Sequence, residues 1–460
     1  MIKFLKDSYI NKTFSAIIIL AFPIIIQGIV FQLQSLIDKA FLGNLDIKYL
    51  TAMGAAQIPF NTTVDCLVAL CTGITIVVSQ LYGKKKGDTI VRTVRSAILC
   101  NTIISFLLLI LWFCFSRYIF NLMSVDESII DYCISYVKIC SIYILFLGID
   151  LTLQAMLQGM GDTKAIMYSG LTKVFFNVFL AWVLIYGNLG FPSLGVQGAA
   201  LATTIANVTA SFIMVIYCFI VKKDVYKLSK GKVSFFDISS YKNAIKLGIP
   251  TSMEFFLWNS ANLVLVKFLN SISSMATTVY TLTFLCIEGF VYMIFNGFAR
   301  ASLTLQGHKI GQNDTDGAKK IFKASMFLNI FVVSISLLLF TIFPRQILRI
   351  FTNDIATIQQ SIPFLIFAGI ILVPKSINVM VGSGIRAYGD TKWMLYTQII
   401  GSTLVVICSF VLVNVIHLNI IAIYITCFFD ETIRSCFNCY HYYKGNLTNS
   451  VVTTSDEIAM

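Results

Sequence analysis

Charged residues are scarce in this sequence: Asp, Glu, Lys and Arg make up 12% of its 460 residues, whereas 57% are hydrophobic. The mean hydropathy of +0.82 reflects more apolar surface than a soluble globular protein could bury. Histidine is rarer still, and the three histidines show neither the H-x-x-x-D nor the H-E-x-x-H spacing of a catalytic set. The sequence therefore predicts a membrane protein that is not an enzyme.

Twelve apolar runs are long enough to cross a hydrocarbon layer of ~30 Å as helices. They lie near residues 15–38, 52–78, 96–116, 133–157, 166–187, 196–221, 245–270, 276–305, 324–343, 358–384, 394–413 and 419–440. We predict an all-α integral membrane fold with twelve transmembrane helices in two pseudo-symmetric six-helix bundles. The predicted domains are residues 1–224 and 225–460, with a short polar tail at the end.

The chain contains two copies of one unit. Gly161 and Gly389 each stand in a Gly-Asp-Thr-Lys stretch, and they are 228 positions apart. The same shift superimposes Gly83 on Gly311, Asp88 on Asp316, Phe115 on Phe343, Arg117 on Arg345 and Asp126 on Asp354. Because six spans return a chain to its starting side, we expect the two copies to share one orientation, related by an axis along the membrane normal.

Basic residues indicate which loops face the cytoplasm. They cluster after spans 2, 6 and 8, and the loops after spans 5, 7 and 11 contain neither Lys nor Arg. This distribution places both termini in the cytoplasm. It also accounts for the net charge of +12 as a fringe at the membrane surface, so no nucleic-acid partner is predicted.

Five short motifs, in order along the chain, resemble those of the multidrug and toxic compound extrusion (MATE) transporters. They are Pro23 with Gln27 and the Asp38 to Gly43 pattern D-x-x-x-x-G, then Ser79 to Gly83 with its second copy Gly307 to Gly311, Gly159 to Lys164, Gly195 to Ala202, and Gly248 to Pro250. The resemblance covers nearly the whole chain.

This resemblance implies two bundles in a V shape around a central cavity that opens to one side of the membrane at a time. It implies export of organic compounds, expected to be cationic, in exchange for H⁺ or Na⁺, with no other cofactor. We expect the chain to act as a monomer in the plasma membrane.

The resemblance also implies a coupling role for Asp38, because an acid at this place in the family binds the coupling cation or takes up a proton. The alternative is an interfacial residue paired with Lys39. Many bacterial relatives carry a second acid four residues after the span 5 Asn, but here Asn177 is followed at that place by Ala181. Asn177 is expected to donate a hydrogen bond to Asp38.

Glu254 lies four residues after Pro250, so both face the same side of span 7. We expect it to accept a proton or to face a cationic compound, opposite Gln27 in the other half. If instead Lys375 pairs with Glu254, protonation of the acid would free a charge in the cavity and could act as a gate.

Other charges inside the spans need a partner, a watery cavity or a task, since each costs about 2.5 to 3.5 kcal/mol at the centre of a helix. These cavity candidates are Asp65 and Asp150 with Lys173 in the first half, and Glu288 with Lys375 in the second. The alternative to a functional role is that each bundle neutralises itself, with Lys173 bound to an Asp and Lys375 to Glu254 or Glu288.

A lipid-linked precursor flippase of the same superfamily would share this architecture. It would need a cationic cavity for pyrophosphate, whereas acids outnumber bases among the charges inside the predicted spans. An efflux assay with an ethidium-like dye separates the two functions.

Overall fold

The computed structural model describes residues 8–226, 228, 241–445 and 447; of residues 8–11 and Glu288 it describes the backbone only. Twelve long helices make up most of this chain, and no strand occurs among the residues described. They are α1 (Ser8–Leu45), α2 (Ile47–Gly83), α3 (Gly87–Leu122), α4 (Glu127–Met160), α5 (Thr163–Tyr186), α6 (Gly195–Ile216), α7 (Lys242–Ile272), α8 (Ser274–Gly311), α9 (Thr315–Ile342), α10 (Ile355–Ala387), α11 (Thr391–Phe410) and α12 (Ile421–Lys444). The predicted all-α class is confirmed.

Ten of the described helices are long and apolar enough to cross a membrane by length and composition. The other two are α7 and α12, which carry buried charged residues near their middles. Seven of the twelve helices extend beyond both ends of the apolar run that predicted them: span 2 was expected near residues 52–78, and α2 runs from Ile47 to Gly83. These helices therefore continue past the apolar stretch into the polar ends of the molecule.

Contacts between backbone positions divide the chain into two compact units. The first unit is Ile26–Gly248, and the second is Ile249–Met460 with Met1–Ile25, so far as these ranges are described. Helices α1 and α7 thus contribute residues to both units. The predicted division at residues 224 and 225 refers to the duplicated sequence and stays a prediction.

Each unit is built around the fourth helix of its copy. In the first unit α4 packs against α2, α3 and α6, and in the second α10 packs against α8, α9 and α12. The first core includes Phe60 and Trp112, whose ring centroids are 5.4 Å apart, and the second includes Tyr280 and Tyr424, at 5.9 Å. The same helices pack together in both copies, as a duplicated chain requires.

Turns also repeat with the shift of 228 residues. Gly161 has φ 89° and Gly389 has φ 88°, a left-handed conformation that costs little only for glycine. The following N–H groups, of Asp162 and Asp390, each donate to the carbonyl five residues earlier, at 2.8 and 3.3 Å. The Gly-Asp pair ends one helix and begins the next in both copies.

A second pair of turns, between α2 and α3 and between α8 and α9, repeats in the same way. Lys85 and Asn313, 228 positions apart, both have φ 59°, and each N–H donates to the carbonyl three residues earlier at 3.0 Å.

A third pair of turns lies between α5 and α6 and between α11 and α12. Leu189 and His417 in these turns, also 228 positions apart, both have φ 58°. A positive φ outside glycine is uncommon, so its recurrence at matched positions shows that the two copies share backbone detail.

The described part of the linker between the copies is tied to the first unit. The Tyr226 hydroxyl donates to Asp162 Oδ2 at 2.6 Å, and the Tyr241 hydroxyl donates to Asn101 Oδ1 at 2.8 Å. Both tyrosines are buried. Burial and the hydrogen bond to Asp162 raise the pKa of Tyr226, which lies outside the membrane-spanning helices, above its ordinary value.

Candidate functional site

Asp38 lies on α1 within the first unit, with 5% of the residue exposed. Its Oδ1 atom accepts no hydrogen bond from the residues described. Gln34, one turn earlier, is also buried, and its Oε1 atom likewise has no donor there. Lys39 is exposed and attracts Asp38 electrostatically, without donating to Oδ1. A buried anionic oxygen without a donor is unfavourable unless a proton or a cation reaches it.

Asn177 lies on α5 and is fully buried. Its Nδ2 atom donates to Thr203 Oγ1 at 3.1 Å, and its Oδ1 atom is buried without a donor in the described chain. The amide therefore hydrogen-bonds to α6, whereas the sequence predicted a bond to Asp38. Ala181, where many relatives have an acid, is part of the apolar core.

Asp150 and Lys173 attract each other electrostatically without forming a close ion pair, and each also contacts another side chain. Asp150 Oδ2 accepts from Gln154 Nε2 at 2.8 Å, and Oδ1 has no donor among the described residues. The Lys173 ammonium lies 5.2 Å from the centroid of the Phe31 ring, a distance typical of a cation–π contact. The predicted pairing of Lys173 with an Asp is thus a longer-range attraction.

The other two candidates of the first unit are half-buried. Gln27 packs against Gly170, where an added Cβ would lie 2.7 Å from Gln27 Cγ. Asp65 lies on α2 and interacts electrostatically with Tyr143 of α4.

Glu254 on α7 forms an ion pair within the second unit. Both of its oxygens accept from Arg386 Nη2 on α10, at 2.6 and 2.7 Å, and both side chains are largely buried. The sequence had suggested Lys375 as the partner, but Arg386 occupies that place. Arg386 lies at the last turn of α10, beyond the end of the predicted span.

A second ion cluster lies on α12, where Asp430, Glu431 and Arg434 are all buried. The Arg434 guanidinium donates to both oxygens of Asp430, at 2.8 and 2.7 Å, and lies 3.2 Å from Glu431 Oε1. Its remaining nitrogen, Nη1, donates to Gln398 Oε1 on α11 at 2.7 Å. The spacing i, i+1, i+4 places the three charges on neighbouring turns of the helix.

Side-chain amides connect this cluster to α10 and α11. Asn378 Nδ2 donates to Glu431 Oε2 at 2.9 Å, and Asn438 Nδ2 donates to Asn378 Oδ1 at 2.7 Å. Trp393 Nε1 then donates to Asn438 Oδ1 at 2.9 Å. A buried polar network in which each acceptor has a donor is rigid, because any broken bond leaves an unpaired group.

A small cavity, partly open to solvent, lies beside this cluster inside the second unit. Its walls are mainly aromatic and aliphatic, and its polar end holds Lys375, Asp430 and Glu431. The Lys375 ammonium lies 5.3 and 5.7 Å from the ring centroids of Phe284 and Tyr292. The Glu288 side chain is outside the described part of the structure; its backbone lies in the π-helical turn Ile287–Val291. Apolar walls with a few convergent charges are typical of a site for a small amphiphilic molecule.

The described residues contain no group of three or more His, Cys, Asp or Glu side chains that could hold a metal ion. Duplicated sets of membrane-spanning helices with buried charges in both copies are typical of secondary transporters.

The MatE family model matches residues 23–183 and 250–411, once in each half. The chain belongs to this family, the MATE transporters. Proteins of the family are transporters, not enzymes, and need no cofactor.

Relatives in bacteria are similar over most of their length. The chain is 26% identical to the probable multidrug resistance protein NorM of Thermotoga maritima over 447 residues, 95% of this chain and 94% of that protein. It is 25% identical to the uncharacterized transporter YisQ of Bacillus subtilis over 394 residues, 85% of each.

Solved structures share the fold. One, described as the outward-facing conformation of a multidrug resistance MATE family transporter, has a TM-score of 0.84 and 18% identity, covering 94% of this chain and 97% of the other. Another, a transporter of the same superfamily from Pyrococcus furiosus, has a TM-score of 0.85 and 18% identity, with 94% and 95% covered. That second structure is described as having a binding pocket of reverse polarity that suggests a different function.

Proposed function

We propose that this transporter is a secondary active antiporter that exports organic, predominantly cationic compounds in exchange for H⁺ or Na⁺. The observation that carries the proposal is Asp38, a buried carboxylate whose Oδ1 has no donor in the described chain. The relatives named as multidrug resistance proteins support export of foreign compounds. Alternating access would occur in the plasma membrane, in a chain acting as a monomer with both termini in the cytoplasm.

Asp38 suits a coupling role because its carboxylate is available to bind and release a proton or a metal cation. An acceptor oxygen that no neighbour fills gains more from a proton or a metal cation than a carboxylate already bound by donors. Gln34 and Asn177 supply two more buried oxygens without donors in the same unit. Either ion suits such oxygens: H⁺ can bind the carboxylate, and Na⁺ can be bound by carboxylate and amide oxygens alike.

Coupling then follows from linkage. If the inward-moving cation and the exported compound each favour a different facing of the transporter, binding of one shifts the population that binds the other. One positive charge moving inward across 100 mV gains about 2.3 kcal/mol, equivalent to about fiftyfold accumulation.

Glu254 remains a proposed second coupling acid, although its oxygens are already filled by Arg386. To bind an exchangeable cation it would have to release the arginine. Asp38 meets no such competitor, and we therefore assign it the leading role.

A lipid-linked precursor flippase is the alternative, and the reverse-polarity transporter from Pyrococcus furiosus gives it some weight. A pyrophosphate group needs a cavity of net positive charge. The cavity in the second unit is lined by two acids and one lysine, with Arg434 next to the acids, so its charges balance. This balance favours the exporter.

The test is efflux of ethidium from a bacterium that lacks its own pumps. Expression of the wild-type chain should lower dye accumulation, and Asp38→Asn, which keeps the side-chain shape but removes the charge, should abolish the effect. The matched control is Asp131→Asn, because Asp131 is a surface carboxylate paired with Arg117.

Efflux measured with and without Na⁺ at fixed pH, and with and without a protonophore, identifies the driving ion. Normal, ion-dependent efflux by Asp38→Asn at equal membrane levels would exclude Asp38 from the mechanism. Absence of efflux by the wild-type chain for a panel of cationic dyes, with transport of a pyrophosphate-linked lipid, would favour the flippase.

A further inference from the structure

The two units hold their buried acids in different ways. In the first unit, Oδ1 of Asp38 and Oδ1 of Asp150 have no donor among the described residues. In the second unit, each oxygen of Asp430 and Glu431 lies within 3.2 Å of a nitrogen of Arg434 or of a neighbouring amide. Each of these two first-unit acids thus has an oxygen without a donor, whereas the two acids of the second unit share the Arg434 cation.

The duplication shows that the whole cluster, the two acids together with the arginine, is specific to the second copy. The shift of 228 residues places Ala206 at the position of Arg434 and Gln158 at the position of Arg386. Neither arginine has a counterpart in the first copy, although the helices that carry them pack in the same way in both. The difference therefore lies in side chains rather than in the backbone frame.

The side chain of Arg434 packs closely against α11 at Gly401. An added Cβ on Gly401 would lie 2.3 Å from Asp430 Oδ1 and 2.6 Å from Arg434 Cδ. Any residue larger than glycine would push the ion pair away from this helix. Gln398, three residues earlier, accepts from Nη1 and fixes the orientation of the planar group.

We propose that Arg434 is a built-in counter-cation, which occupies the position that a free monovalent cation would take between Asp430 and Glu431. Removal of its charge exposes a latent Na⁺ site formed by these two carboxylates, with the amide oxygen of Gln398, which now accepts from Arg434, as a further ligand. Under the proposed antiport function, on which this second part rests, Asp430 and Glu431 thereby take no part in exchange of the coupling ion.

The binding test uses purified protein in an Asp38→Asn background, so that Asp38 contributes no response of its own and any response of Asp150 is common to every variant compared. Thermal unfolding is compared in NaCl and in N-methyl-D-glucamine chloride at equal pH and ionic strength. Adding Arg434→Met should create a Na⁺-dependent rise in Tm that the background lacks. The matched control Arg434→Lys keeps a positive charge and should show no rise.

The rise should disappear when Asp430→Asn and Glu431→Gln are added to Arg434→Met, because no carboxylate then remains to bind Na⁺. Equal Na⁺ responses of the Arg434→Met protein and this charge-free protein would overturn the proposal. Should Arg434→Met fail to accumulate, Arg434→Met with Asp430→Asn leaves a single acid, and the same comparison applies.

The coupling test uses the charge-free variant of all three residues with Asp38 intact. No prediction is made for the absolute rate of dye efflux by this variant, because Asp430 and Glu431 line the cavity. The ratio of efflux with and without the driving ion should match that of the wild type. Loss of this ratio in protein with normal Tm would show that Asp430 and Glu431 exchange the ion, and would overturn this second part. Because the binding test requires no efflux, failure of the antiport function alone leaves that test intact.

Discussion

The ion pair between Glu254 and Arg386 allows a direct test of whether Glu254 exchanges a cation or only holds α7 to α10. Both carboxylate oxygens accept from the same Nη2 atom, and the Glu254 and Arg386 side chains are 10% and 15% exposed. Removal of one partner of a buried pair costs about 3–5 kcal/mol, because the other charge stays behind. The Arg386 Nε atom already has no acceptor among the described residues. We expect Glu254→Gln to cost about 3 kcal/mol, the lower end, because some solvent reaches the pair.

The double variant Glu254→Gln/Arg386→Met removes both charges together. Replacing a whole buried ion pair by neutral groups of similar size is often close to neutral, so this variant should recover at least half of the loss. With about 2.1 cal/mol/K of unfolding entropy per residue, a chain of 460 residues changes its Tm by about 1 °C per kcal/mol. The Tm of the single variant should thus fall by about 3 °C, and the Tm of the double variant by at most half of that.

Buried thiols provide the readout. Cys71, Cys133, Cys140, Cys218 and Cys286 are free and buried, so a thiol-reactive fluorophore reports on them as the fold opens. A Tm loss in the double variant equal to the sum of the two single losses would refute the pairing argument. Ion-dependent efflux adds the functional answer: if the double variant keeps it, Glu254 is structural, and if a stable double variant loses it, Glu254 is a coupling acid.

Two further predictions concern the loops. Gly389 has φ 88°, so Gly389→Ala should lower the free energy of unfolding by about 1–2 kcal/mol. The control is Gly54→Ala, in a helix with no atom within 4 Å of an added Cβ, which should be neutral or stabilising by up to ~1 kcal/mol. The thiol assay measures both variants, and equal losses of stability would contradict the argument from the backbone conformation. Because the pKa of Tyr226 is raised in the folded protein, its contribution is fully present below pH ~10 and is lost as the pH rises further. Tyr226→Phe should therefore show a smaller fall of Tm above pH 10 than the wild type, and parallel curves would count against the bond to Asp162.

The repeated sequence predicted the fold well because its signals are periodic and local. Apolar runs located all twelve helices, and the Gly161 and Gly389 turns followed from a residue type that tolerates positive φ. Many helix ends, that of α10 among them, lie beyond the predicted apolar runs, since apolar composition marks the hydrocarbon layer and not the end of the backbone hydrogen bonding. This shortfall hid Arg386, which lies just past the predicted end of span 10.

The partners of the charges were harder to predict than their positions. Asp38, Glu254 and Lys375 were singled out as buried and polar, and the structure buries all three. Which cation faces which acid depends on contacts between helices far apart in sequence, so Arg386 was missed as the partner of Glu254. The cluster of Asp430, Glu431 and Arg434 was missed although its signal was visible: three charges within five residues at the centre of the last apolar run.

The sharing of α1 and α7 between the two units limits how this chain can be taken apart. Residues up to Ile25 belong with the second unit, where Ala21 and Ile25 lie against Gly297, and the start of α7 belongs with the first, where Ala244 lies against Gly73. A cut in the linker would give two fragments, each missing a piece of its own bundle that the other fragment carries. The halves of this gene product are therefore mutually dependent, and we expect them to regain function only when both are made in the same cell.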